Sequence, residues 1–178
     1  MKRQVVISLC LAALIPIFAA YASAAAAAEG SKPAAKAGPK GGCIELTTVA
    51  EREETLKNAD GSESKRLVPA KHIVPDTEVV WTATAHNLCA KAAEHVVIDQ
   101  PVPEHMVFVA DSAGGTAAQV TLSTDGKTFQ PAGQLTARGA DGSTRLARAE
   151  DVRFVRFSLT GAIGPQERVS VRYRAILQ

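Results

Sequence analysis

Residues 77–87 read TEVVWTATAHN, where Val79, Trp81, Ala83 and Ala85 alternate with Val80, Thr82, Thr84 and His86. A period of two sends one set to a buried face and the other to an outer face, which a strand satisfies and a helix does not. The same alternation sets Ile44, Leu46, Thr48 and Ala50 against Glu45, Thr47, Val49 and Glu51. Polar residues 57–66, with Asp60-Gly61, end that first strand. A third strand is expected over residues 95–99, stopped by Pro101 and Pro103, which cannot donate to a ladder. A short edge segment follows at residues 106–109. Residues 119–123 and 128–129 flank Asp125-Gly126, a tight-hairpin signal. Residues 130–150 read as a polar loop, with one short helical turn near residues 148–152. Trp81 is assigned to core packing rather than to ligand stacking, because a buried indole removes a large apolar area from water.

The last two strands are expected to form a hairpin around Gly164. That register sets Val155 opposite Tyr173, Phe157 opposite Val171 and Leu159 opposite Val169, a continuous apolar face. The other face then receives Arg156 opposite Arg172 and Phe154 opposite Arg174. About seven short antiparallel strands, each with one apolar face, specify an all-β sandwich.

Three phrases carry a family resemblance: VPDTEVVWTATAHNLCAKAAEHVVIDQPVPEHMVFV at residues 74–109, TLSTDGKTF at 121–129, and VRFVRFSLTGAIGPQERVSVRYRAIL at 152–177. In this order they resemble the bacterial conserved-repeat surface domain, the immunoglobulin-like domain of unknown function numbered eleven. The resemblance covers most of the chain beyond residue 70. It implies an immunoglobulin-like fold and an envelope role, and it implies no reaction. Where that pattern usually has Pro-Gly after the aromatic strand, this chain has Ala110-Asp111.

The N-terminus carries Lys2 and Arg3, an apolar run over residues 5–22 broken by Pro16, and the small residues Ala22-Ser23-Ala24. This is the pattern of a cleaved secretory signal at residues 1–24. Cys10 follows Leu9, where lipoprotein processing requires a small residue, so no lipid anchor is expected. After cleavage no transmembrane anchor is expected. Residues 25–42, AAAAEGSKPAAKAGPKGG, hold no large apolar side chain and read as a flexible linker. Its lysines are either solvated or drawn to anionic lipid or wall polymer. Residues 43–178 form the one sandwich domain.

Losing Lys2 and Arg3 with the signal brings the 20 basic residues level with the 18 acidic ones. A near-neutral chain lacks the basic field of a sequence-independent nucleic-acid binder. Cys43 and Cys89 then remain as the only thiols, in an oxidising compartment. An antiparallel register placing them directly opposite each other at the open end of the ladder supports a disulfide. The rival, a redox pair, lacks CxxC spacing.

Metal, cofactor and catalytic signatures are not evident in the sequence. His72, His86, His95 and His105 show no ligand spacing, and His86 alternates onto the solvent face. The Asp-Gly pairs fit turns, not a calcium loop. There is no GxSxG elbow, phosphate loop or HExxH helix. The feature that points outward is the arginine face of the expected last hairpin, Phe154, Arg156, Arg172 and Arg174. Opposed arginines repel unless an anion lies between them, so this face is the candidate surface for an acidic or glycan-phosphate ligand or an envelope protein. Its alternative is a solvated face balanced by Glu150, Asp151 and Glu167.

The expected function is therefore an exported, non-enzymatic structural or protein-interaction module of the periplasm or cell surface. Two alternatives are a periplasmic assembly chaperone acting by strand addition, and a small carbohydrate-binding module or enzyme with loop-borne residues. The first usually needs a second sandwich; the second is disfavoured by an aromatic content of 4%.

Overall fold

The computed structural model describes residues 42–178. The expected signal peptide and the linker, Gly42 apart, lie outside the described residues. In chain order the strands are β1 (Ile44–Lys57), β2 (Glu63–Pro69), β3 (Glu78–Asn87), β4 (Val97–Pro101), β5 (Met106–Phe108), β6 (Gly114–Gly115), β7 (Ala118–Ser123), β8 (Thr136–Arg138), β9 (Thr144–Leu146), β10 (Phe154–Leu159) and β11 (Arg168–Leu177). The large sheet has the order β2-β1-β3-β11-β5, with β6 also paired to β11; the small sheet is β4-β10-β7; β8 and β9 form a separate ribbon. All pairings are antiparallel.

Alternation decides what each strand contributes to the interior. Val79, Ala83 and Ala85 of β3, Val155 and Phe157 of β10, and Val171, Tyr173 and Ala175 of β11 are almost wholly buried in one core cluster drawn from both sheets. The chain is thus an all-β sandwich, as the period-two patterns require. Two polar bonds tie the sheets together through this core. Tyr173 donates its hydroxyl to the Pro101 carbonyl at 2.7 Å, and Thr48 Oγ1 donates to Gln100 Oε1 at 3.2 Å. Burial of the Tyr173 hydroxyl pushes its pKa far above the ordinary phenol value. Trp81 is half-buried against the core and stacks on Tyr173, with ring centroids 6.5 Å apart. Its indole Nε1 is buried without a hydrogen-bond partner among the described residues.

The expected final hairpin does not form. β10 lies between β4 and β7 in the small sheet, whereas β11 lies between β3 and β5 in the large one. Val155 stands opposite Gln100 and Leu122, and Tyr173 stands opposite Trp81. The two apolar faces do meet, but across the sandwich instead of side by side. The cause lies in residues 160–167, which cross between the sheets around a fully buried Ile163.

Asn87, also fully buried, anchors that crossover. Its Nδ2 donates to the carbonyls of Ile163 and Lys91, both at 2.8 Å, and its Oδ1 accepts from the Cys89 amide at 3.0 Å. Its backbone N–H donates to Glu167, and its carbonyl accepts from Gln166. Ile163 and Ala93 exchange a further pair of backbone bonds. A sharp hairpin would leave these buried groups unpaired, which is costlier than the longer connection.

Cys43 and Cys89 form a disulfide at the same end, with Cα atoms 5.2 Å apart. The ladder register differs by one residue from the expected one: Ile44 faces Asn87, and Cys43 accepts the Leu88 amide at 2.8 Å. The bridge therefore spans a one-residue stagger just beyond the last ladder pair.

Other strand limits shift for local reasons. β1 runs on to Lys57 and returns as β2, where a loop had been expected. β2 is exposed on both faces except at Val68, so it carries no period to read. The third strand begins at Val97 rather than at residue 95, because His95 takes a left-handed backbone conformation with φ of 55°. Pro101 closes β4 on the edge of the small sheet, where its missing N–H costs no ladder bond. The turn after Leu122 is shaped by Ser123 and Asp125: Ser123 Oγ accepts the Gly126 amide at 2.9 Å, and Asp125 Oδ1 accepts those of Lys127 and Thr128. The polar region 130–150 contains the β8–β9 ribbon, and a short helical turn covers Ala149–Asp151.

Candidate partner surface

On β10 and β11 the odd-numbered core residues point inward, so the even-numbered ones point out. Because the strands lie in different sheets, the four candidate residues divide between opposite sides of the sandwich. Phe154 and Arg156 lie on the outer side of the small sheet; Arg172 and Arg174 lie on the outer side of the large one.

On the small sheet, Arg156 faces Asp99 of β4 across the ladder. It makes a bidentate pair, Nε to Oδ1 at 2.7 Å and Nη2 to Oδ2 at 2.8 Å. The hydrogen bonds that Arg156 donates to Asp99 push the guanidinium pKa further up. Its Cζ lies 3.6 Å from the centroid of the Phe129 ring, so the plane is covered as well. Phe154 packs over the neighbouring turn: a Cβ at Gly126 would come within 2.8 Å of its ring. Arg156 is thus balanced and stacked, and the expected Phe154–Arg174 contact is replaced by Phe129–Arg156. Asp99, at the proline-bounded end of β4, is the counter-ion of Arg156.

On the large sheet, Arg174 lies opposite Val80 and is also paired. Nη1 binds Glu78 at 2.6 Å and Nη2 binds Glu53 at 3.1 Å, while Lys65 approaches Glu53 at 3.3 Å. Lys65 foremost, and then Arg174, hold the Glu53 carboxyl below its ordinary range.

Arg172 differs. It lies opposite Thr82 and Gly114, exposed, with no carboxylate within ion-pair distance among the described residues. Arg168, which the sequence reading passed over, is exposed on the same outer side opposite His86 and likewise has no acidic partner among the described residues. Their Cα atoms are roughly 13 Å apart at strand rise. Between them Ser170 and Thr84 share a hydroxyl bond at 2.8 Å. The signal that could have found Arg168 was present, since it shares the parity of Arg172 and Arg174 along β11. The row Arg168-Ser170-Arg172, with Thr82 and Thr84 beside it, therefore offers two uncommitted guanidinium groups and nearby hydroxyls to an extended anion.

No family model, curated protein or solved structure matches the chain. The site must therefore be read from its own geometry.

The other singled-out residues are scattered. His86 Nδ1 lies 3.8 Å from Glu45 Oε2, and its side chain is only 12% exposed, so it is less open than its outer-face position implied. His72, His95 and His105 occupy loop positions with positive φ. Among the described residues no group of three metal-ligating side chains converges, and no helix is long and apolar enough to cross a membrane.

Proposed function

We propose that this chain is an exported, non-enzymatic module of the bacterial cell envelope that meets an acidic partner through the outer face of its large sheet. The observation that carries the reading is the unpaired row Arg168-Ser170-Arg172, set in a molecule whose Arg156 and Arg174 are already neutralised. The signal-like N-terminus and the Cys43–Cys89 disulfide support an oxidising compartment. Three of the four edges of the large and small sheets argue against strand addition to a client, and at the fourth, β7, Leu122 is already bridged to Gln130. The edge strand β2 carries Lys65 and Arg66 and ends in Pro69, β4 ends in Pro101, and β5 spans only Met106–Phe108. Charges, proline and short length are the features that blunt an edge.

A photo-cross-linking residue at position 172 in intact cells should capture a partner that the same residue at position 156 does not. In solution, R168Q/R172Q should weaken binding of inorganic polyphosphate or of a polyglutamate peptide by roughly three- to tenfold, whereas R156Q should not. The probe that responds distinguishes a phosphate polymer from an acidic protein. Equal behaviour of the two variants with both probes would refute the assignment of the surface.

A further inference from the structure

The two sheets part at the side where β5 and β7 form their edges. A half-open pocket of about 270 Å³ lies there. Its walls are Phe108 of β5, Val120 and Leu122 of β7, and Leu135 and Val152 of the segments that close over the gap. Five further lining positions are alanine: 110, 113, 132, 147 and 149. A larger residue at any of these would fill space that the present sequence leaves open. Because the hollow is half-open, water enters it, and an apolar group that displaces poorly held water gains contact with these walls.

Size and charge define the occupant. At roughly 30 Å³ for each water-sized group, the space admits about nine non-hydrogen atoms, and an apolar cavity of roughly half this volume already holds benzene. Two charged residues line the pocket, Asp111 and Arg148. Arg148 is spoken for: Nη1 contacts Glu150 at 3.4 Å, and the neighbouring Arg145–Asp151 pair closes at 2.6 Å. Asp111 is exposed and has no cationic partner among the described residues. It also occupies a left-handed backbone position, with φ of 58°, where glycine is the ordinary residue. The uncompensated charge lining the pocket is therefore negative.

We propose that this pocket binds a small amphiphilic amine, an aryl- or alkyl-ethylamine of about nine heavy atoms, with the apolar body among the alanines and the ammonium against Asp111. The site is separate from the arginine row of the large sheet and independent of that reading.

Phenethylamine and a carboxylate of nearly the same size, phenylacetate, test it. Titrated into the disulfide-bonded chain, phenethylamine should give saturable NMR shifts confined to residues around Ala113, Val120, Leu135 and Ala147. The carboxylate should bind roughly tenfold more weakly. D111N should weaken the amine about three- to fivefold, the size of an exposed ion pair, and erase the preference between the two probes. A147F should abolish saturable binding; if it perturbs the fold, A132L obstructs the same space with a smaller change. Non-saturable or dispersed shifts, equal binding of both probes, or an unaltered affinity in D111N would each overturn the proposal.

Discussion

The two ends of the sandwich are built in opposite ways. At one end, Cys43, Asn87, Cys89 and Ile163 satisfy or bury almost every group they bring, and a covalent bridge, a polar anchor and a crossover converge within a few residues. At the other, β5, β7 and residues 131–152 meet through short side chains and leave a hollow. Stability is concentrated where the chain changes sheets, and space is left where the sheet edges diverge. The difference teaches that one sandwich can be cross-braced where its chain crosses between sheets and left open where loops close over its strand edges.

Removing the bridge should have the largest effect. C43S/C89S opens a loop with a sequence separation of 46 and should cost about 3–4 kcal/mol in urea unfolding. A loss below about 1 kcal/mol would mean that the polar anchor alone makes that end rigid. Asn87→Ala follows, at about 2–3 kcal/mol, because it removes three side-chain hydrogen bonds from a fully buried position: the Lys91 carbonyl and the Cys89 amide lose that partner, and the Ile163 carbonyl keeps only its Ala93 bond. Its signature should be loss of amide-exchange protection around residues 160–167 before any loss near residues 131–152. Tyr173→Phe removes the hydroxyl bond that joins the sheets between the two ends, and should cost about 1 kcal/mol by the same denaturant measurement.

The smallest effect belongs to the turn after β7. Asp125 is held below its ordinary value of 3.8, chiefly by the Thr128 amide and then by the Lys127 amide and Ser123. A depressed folded-state pKa contributes stability that is complete above the unfolded value and disappears as pH falls through the folded one. D125N should therefore narrow its gap from the wild type between pH 5 and pH 2. A gap that widens in acid would contradict the assignment of those amide bonds.

Much of this was legible from residue types. The alternation through Trp81 specified β3 and its buried face, and the expectation that Cys10 leaves with a signal singled out Cys43 and Cys89, which do bond. The pairing of β10 and β11 was not legible. Alternation at Val155 and Tyr173 says that each faces the core, but not whether two such faces lie side by side or look at each other. That choice was made by Asn87 and Ile163, whose contact joins positions 76 residues apart. The division of the candidate arginines between two sheets escaped for the same reason: Asp99 neutralises Arg156 from 57 residues away. β2 and the β8–β9 ribbon escaped because exposure on both faces of β2, and only three residues in each ribbon strand, leave almost no periodicity.

The placement of β11 also governs when this molecule can fold. In the large sheet residues 168–177 lie between β3 and β5 and supply Tyr173 to the interior. A nascent chain that has reached only Leu159 possesses every strand of the small sheet, yet the partner sheet still lacks the strand that joins β5 and β6 to β3. The β2-β1-β3 and β4-β10-β7 pairings lie within residues 44–159 and can close first, whereas β5 and β6 have no place in the large sheet until β11 arrives. Among the described strands, β11 is thus the one that joins β5 and β6 to β3 and brings Tyr173 against the small sheet, so the two sheets close on each other only once it is in place.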